Sequence, residues 1–253
     1  MKTPGGWRFI TAACIAQAAL PAAPSPRTEA SAVTPVDATW HAAWHGKIAA
    51  KRAEGRGDFD LLLIGDSILD LWPTKGKASY GAFAPWKPLN LGISGESTEH
   101  VLHRLLHGQL DGLKPRVAVV MIGTNNLGHR EDERPEWAAA GVRRIVETVR
   151  TRLPETRILL LAILPRGGNR GADGIRPNSR PTDLIRRRVD ETNRIIAQLA
   201  DDRHVFFLDV GDLFTAADGS LRMDLLPDAL HPNEAGYQVW LEAMKPRLAA
   251  LMQ

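Results

Sequence analysis

The sequence predicts an α/β protein with a five-stranded parallel sheet covered on both faces by helices. Three observations predict it. From about Val36 onward, short apolar runs alternate with stretches whose apolar residues recur every three or four positions. The short runs are continuously apolar, as expected of strands buried on both faces. Several of them end in glycine and polar residues, at the sheet edge where parallel α/β folds bind ligands.

The elements follow in order. Residues 37–53 read as a helix, with Trp40, Trp44 and Ile48 four apart on one face. Leu61–Ile64 is the first strand and Leu89–Leu91 a brief second one. Val101, Leu102, Leu105 and Leu106 form a helical stripe. Val117–Ile122 is the third strand. Val142, Ile145, Val146, Val149 and Leu153 form the next stripe, and Ile158–Leu164 is the fourth strand. Leu184, Val189, Ile195, Ile196 and Leu199 mark a further helix. Val205–Leu208 is the fifth strand, and Tyr237, Trp240, Leu241, Met244 and Leu248 line the last helix. No internal repeat occurs, and residues 36–253 read as one domain with a core at about 58–250.

The N-terminus reads differently. Lys2 and Arg8 precede an apolar stretch from Phe9 to Leu20, followed by small residues at Ala19, Ala22 and Ala23. That is the pattern of an export leader over residues 1–23, too short to span a bilayer. It implies a secreted or periplasmic protein. A buried N-terminal helix is one alternative. Lipidation at Cys14 is another, but Thr11-Ala12-Ala13 fits its cleavage site poorly. Residues 24–35, rich in Pro, Ser, Thr and Ala, read as a flexible segment.

The chain of 253 residues is 44% hydrophobic and 24% charged, an ordinary globular balance that excludes collagen, coiled coil and wholesale disorder. Its net charge of +3 gives little reason to expect a nucleic-acid partner. Removing residues 1–23 takes two basic residues and the single cysteine, leaving about +1 and no thiol. No later apolar run reaches membrane-spanning length.

Three strand ends carry candidate chemistry: Gly65-Asp66-Ser67, Gly92-Ile93-Ser94-Gly95-Glu96 and Gly123-Thr124-Asn125-Asn126. Asp228-Ala229-Leu230-His231 lies near the C-terminus, with Pro232 a candidate first residue of the last helix. A serine hydroxyl is a weak nucleophile and needs an adjacent base. Ser67 is the candidate nucleophile and His231 its base. Asp228, three residues before, is within reach of the imidazole Nδ1 in a turn. The Ser67 N–H, the Gly95 N–H and the Asn125 amide are candidate donors to a tetrahedral oxyanion. Each fragment alone also fits a plain role: Gly-Asp-Ser as a turn and helix cap, Asp-x-x-His as a surface turn or metal-ligand pair.

Together these blocks resemble the SGNH (GDSL) hydrolases. Within that family they are most similar to the branch containing the catalytic subunits of platelet-activating-factor acetylhydrolase and its bacterial relatives. The resemblance rests on Ile64–Ser67, Asn90–Glu96, His100–Leu105, Gly123–Asn126, Leu164–Gly167 and Asp228–His231, and covers roughly residues 58–250. It implies a flavodoxin-like three-layer α/β/α sandwich and a serine esterase without metal or cofactor. It makes Ser67 the nucleophile, His231 and Asp228 the base and its orienting acid, and Gly95 and Asn125 oxyanion donors. Ser94 stands where the family's Gly-Ile-Gly-Gly block has a glycine. The expected substrate is a small acyl ester, an acetyl group on carbohydrate or lipid foremost. A phospholipid or thioester hydrolase and a non-catalytic carbohydrate-binding relative are the alternatives. Relatives in this branch form dimers, which makes a homodimer an expectation.

Other features stay open at the level of sequence. Residues 166–180, with Arg166, Arg170, Arg176 and Arg180 against Asp173, form either a basic lip beside the site or a solvated loop. Arg186-Arg187-Arg188 reads as an exposed helix face. His100, His103 and His107 share a helix face and suit either zinc or water. Trp40 and Trp44 read as packing anchors. Trp72 and Trp86 either line a pocket or fill the core.

Overall fold

The computed structural model describes residues 1, 27–37, 43–54, 58–167, 170–171, 174–175 and 182–253. Its centre is a five-stranded parallel sheet in the order β2-β1-β3-β4-β7. The strands are β1 (Leu61–Gly65), β2 (Pro88–Asn90), β3 (Val117–Met121), β4 (Arg157–Leu161) and β7 (Val205–Leu208). β5 (Arg170–Gly171) and β6 (Gly174–Ile175) form a separate two-residue antiparallel pair. The helices are α1 (Glu29–Ala32), α2 (Trp44–Glu54), α3 (Ser67–Asp70), α4 (Trp72–Lys75), α5 (Lys77–Gly81), α6 (Thr98–Arg104), α7 (Thr124–His129), α8 (Pro135–Arg152), α9 (Thr182–Ala197) and α10 (Glu234–Leu251).

Successive strand residues point to opposite faces, and here each face has its own core. Leu61, Leu63, Val117, Val119, Leu159 and Leu161 pack with Ile68, Trp72, Tyr237 and Trp240 from α3, α4 and α10. Leu62, Ile64, Ala118, Val120, Ile158 and Leu160 pack with Val101, Val142, Ile145, Val149 and Ile196 from α6, α8 and α9. This explains why the strands read as unbroken apolar runs. The result is the expected three-layer α/β/α sandwich. Among the described residues, no helix is long and apolar enough to cross a membrane.

The topology decides where a site forms. The chain runs from β1 outward to β2, then returns to β3 on the other side of β1. The loops after β1 and β3 therefore diverge at their carboxyl ends, opening a crevice there.

Several expectations change. The first helix, expected over 37–53, begins at Trp44. Trp40 lies outside the described residues, while Trp44 and Ile48 are buried with Ile93. The segment expected to be flexible over 24–35 is, from Arg27 on, docked. Thr28 caps α1, Ala32 is fully buried, and the Val36 N–H donates to the Glu99 carbonyl. Its composition lacks apolar surface, but Arg27 supplies ion pairs to Glu99 and Glu133 instead. The leader over 1–23, apart from Met1, and Cys14 with it lie outside the described residues.

Trp72 belongs to the core rather than to a pocket. It is fully buried and stacks on Tyr237 and Trp240 at 4.9 and 4.5 Å between ring centroids. Trp86 packs, partly buried, on the same cluster.

Candidate active site

β1 ends in Gly65, where a Cβ would lie 2.2 Å from the Met121 carbonyl oxygen of neighbouring β3. Only glycine lets the two strands run this close to the turn. Asp66 then caps α3, its Oδ1 accepting from the Ile68 N–H at 3.0 Å. Ser67 is the first residue of α3. Its own N–H falls among the amides that a helix start leaves without an intrahelical acceptor. From the opposite side the Tyr237 hydroxyl donates to the Ile68 carbonyl at 2.6 Å, fixing the short helix to α10.

Asp228 and His231 sit in the loop before α10. Asp228 Oδ1 accepts from the backbone N–H of Leu230 and His231 at 3.1 and 2.7 Å, closing the turn on itself. Its Oδ2 meets His231 Nδ1 at 2.7 Å, and His231 Nε2 meets Ser67 Oγ at 2.9 Å. Burial alone would raise the Asp228 carboxyl, but the bonds from the His231 ring and backbone outweigh it and hold it at about 2. An ionised carboxylate only accepts, so Nδ1 carries the proton and donates. With Nδ1 as the donor to Asp228, Nε2 is the ring nitrogen placed to accept from the serine hydroxyl. The helix start differs slightly from expectation. Asn233 caps α10 by accepting from the Gly236 N–H at 2.9 Å, and Pro232 lies outside the helix.

The other loops bring donors to the same edge. Gly95 follows β2 with φ of 84°, a left-handed conformation that favours glycine. Asn125 is in the first turn of α7, after Gly123 with φ of 124°. One Asn125 amide hydrogen goes to the Glu96 carbonyl at 2.7 Å. The second hydrogen of the NH₂ group is a donor in reserve.

Buried ionic groups hold these loops. The Arg104 Nε reaches both Glu96 carboxylate oxygens at 3.0 Å, and Trp44 Nε1 donates to the same carboxylate at 2.8 Å. Asn126 accepts from the Thr98 N–H at 3.0 Å and donates to Thr98 Oγ1 at 3.0 Å, tying α7 to α6. Arg166 donates to the Thr124 carbonyl and Oγ1 at 2.9 and 3.2 Å. It is 1% exposed, so Arg166 supports α7 from beneath and is not part of a basic lip. Gly128 makes its room, since a Cβ there would lie 2.3 Å from Arg166 Nη1. The side chains of Arg170, Asp173, Arg176 and Arg180 lie outside the described residues.

Asp70 and the contacts of Arg166 and Tyr237 are hidden in the sequence because their partners are distant along the chain. Asp66 carried a signal as a helix cap. It is also fully buried, which pushes its carboxyl up to about 7. The three histidines part company: His100 Nδ1 accepts from the Ser97 N–H at 3.0 Å, while His103 and His107 stack at 4.1 Å. Among the described residues, no three His, Cys, Asp or Glu side chains gather as metal ligands.

Comparison with known proteins agrees with this architecture. Residues 63–239 match the GDSL-like lipase/acylhydrolase family model. The chain is 33% identical over 228 residues to the bovine platelet-activating factor acetylhydrolase IB subunit alpha1, covering 88% of this chain and 90% of that one. Two solved structures share the fold. A GDSL-like lipase from Bacteroides thetaiotaomicron has a TM-score of 0.67 at 16% identity, covering 83% of this chain and 99% of that one. Est24, a carbohydrate acetylesterase from Sinorhizobium meliloti, has a TM-score of 0.57 at 18% identity, covering 77% and 100%. The chain belongs to the GDSL-like lipase/acylhydrolase family and is a carboxylic ester hydrolase.

Proposed function

We propose that the protein is an exported serine esterase that removes short acyl groups, acetyl foremost, through Ser67, His231 and Asp228. The observation that carries this reading is the continuous hydrogen-bonded line from Ser67 Oγ through His231 to Asp228 at the carboxyl edge of the sheet. In the reaction, His231 Nε2 takes the serine proton as Oγ bonds to the ester carbonyl carbon. The carbonyl oxygen becomes an anion that accepts from the Ser67 N–H, the Gly95 N–H and the second Asn125 amide hydrogen. The imidazolium, steadied by Asp228, protonates the departing alkoxide. Water, deprotonated by His231, then releases the acid and restores Ser67.

The preference for acetyl is supported by the likeness to the bovine acetylhydrolase subunit and by the fold shared with a carbohydrate acetylesterase. The leader pattern over residues 1–23 supports export.

The test is hydrolysis of p-nitrophenyl esters of increasing acyl length by wild type and Ser67→Ala. Expected are a rate that falls steeply beyond acetate, no turnover by the variant, and covalent capture of Ser67 by a fluorophosphonate. An active Ser67→Ala protein overturns the mechanism, and a preference for long chains overturns the acetyl assignment.

A further inference from the structure

Ser94 directly precedes Gly95, and its contacts give it a use. Its N–H and its hydroxyl both donate to Asp70 Oδ2, at 3.0 and 2.6 Å. Asp70 is the last residue of α3, one turn beyond Ser67. A single four-residue helix thus presents the serine at one end and the acceptor for Ser94 at the other.

The tether acts on the peptide that matters. The bond joining Ser94 to Gly95 carries the Gly95 N–H, so the direction of that N–H follows from Ser94 and from the left-handed φ of 84° at Gly95. On the far side of Gly95, Glu96 is already held through its carboxylate by Arg104 and Trp44 and through its carbonyl by Asn125. Asp70 supplies the hold on the near side. Its charge is offset by the ammonium groups of Lys47 and Lys51, at 3.6 and 3.7 Å. These lysines stand four apart on α2, so both reach the same carboxylate. Unopposed, a carboxylate on the nucleophile's own helix would disfavour negative charge developing nearby.

We propose that Asp70 and Ser94 are a positioning pair that aims the Gly95 N–H at the oxyanion formed on Ser67. Neither residue touches substrate, and the proposal rests on the esterase reading of Ser67. Aim matters because displacement by about 1 Å in a catalytic arrangement costs up to about 100-fold in rate.

The experiment measures kcat and KM on p-nitrophenyl acetate for wild type, Ser67→Ala, Asp70→Ala, Asp70→Asn and Ser94→Ala, with thermal melts to establish folding. Asp70→Ala is expected to lose about 10- to 100-fold in kcat, with KM changed by less than about twofold. Asp70→Asn keeps an oxygen acceptor for Ser94 and is expected to recover most of that loss. Ser94→Ala removes the 2.6 Å bond and keeps the N–H donor, so a smaller fall in kcat is expected. Unchanged kcat in folded Asp70→Ala, beside an inactive Ser67→Ala, overturns the proposal alone. So does an Asp70→Asn protein as slow as Asp70→Ala, or a loss carried by KM. If Asp70→Ala does not fold, unchanged kcat in Ser94→Ala overturns it. An active Ser67→Ala protein overturns the reading beneath and the proposal with it.

Discussion

Asn125 donates one amide hydrogen to the backbone carbonyl of Glu96 at 2.7 Å, and so locks the loop after β3 to the loop after β2. The bond leaves the second hydrogen of the same amide oriented rather than free to rotate. Under the proposed mechanism, replacing Asn125 by alanine removes an oxyanion donor and that cross-link together. The expected loss is about 100- to 1,000-fold in kcat, as for other single oxyanion donors. Steady-state kinetics on p-nitrophenyl acetate checks it. A fall of less than about tenfold in a folded variant removes Asn125 from the mechanism.

Asp66 gives a pH dependence with a definite sign. Burial raises its carboxyl from 3.8 to about 7 in the folded protein, against the hydrogen bond from the Ile68 N–H, which lowers it. Between about pH 4 and pH 7 the folded state therefore binds more protons than the unfolded state. Stability contributed by this group is present below about pH 4 and is lost as pH rises through about 7. The shift corresponds to at most about 4 kcal/mol. Asp66→Asn keeps an oxygen to cap α3 and cannot ionise. The variant should gain stability relative to wild type between pH 5 and pH 8 in urea unfolding. A gain that is the same at both values would contradict the assignment.

What the sequence makes legible, and what it hides, follows from distance along the chain. The strands are legible because Leu61–Gly65 and Val117–Met121 are buried on both faces and so wholly apolar. The Asp228–His231 contact is legible because its spacing closes a turn by itself. α3, α4 and α5 are not legible, since helices of 4 or 5 residues are too short to display a period. Arg166 reads as exposed, in a lip or in a solvated loop, because charge alone suggests exposure, yet it is buried. Its burial depends on Thr124 and on the space left by Gly128, neither of which is local. The docking of residues 27–36 was hidden for the same reason, as Arg27 and Glu133 are 106 positions apart.

Tyr237→Phe tests the support beneath the serine. The hydroxyl donates to the Ile68 carbonyl at 2.6 Å inside a stack of Trp72 and Trp240. Phenylalanine retains the stack and leaves that buried carbonyl without its partner. The expected cost is about 1–3 kcal/mol in stability. Chemical denaturation measures it, and a change below about 0.5 kcal/mol would mean that α3 does not depend on the bond.

Arg27 tests the clasp between the N-terminal segment and the site. Its guanidinium pairs with Glu133 and, at 3.5 Å, with Glu99, while Arg130 pairs with the same two carboxylates. Asn126, next to Asn125, donates to both Glu99 and Glu133, at 3.2 and 3.4 Å. Burial already pushes the Glu133 carboxyl up, against the attraction of Arg27. Without Arg27 that carboxylate loses its main counter-charge. Breaking a buried pair from one side costs about 3–5 kcal/mol, and because Arg130 remains, Arg27→Ala is expected to cost about 2 kcal/mol. Adding Glu133→Gln removes the stranded charge, so the double variant should be more stable than Arg27→Ala alone. Urea unfolding of the two single variants and the double closes the cycle. Additive losses would mean that the N-terminal segment is held by its other contacts and that the ion pair contributes nothing.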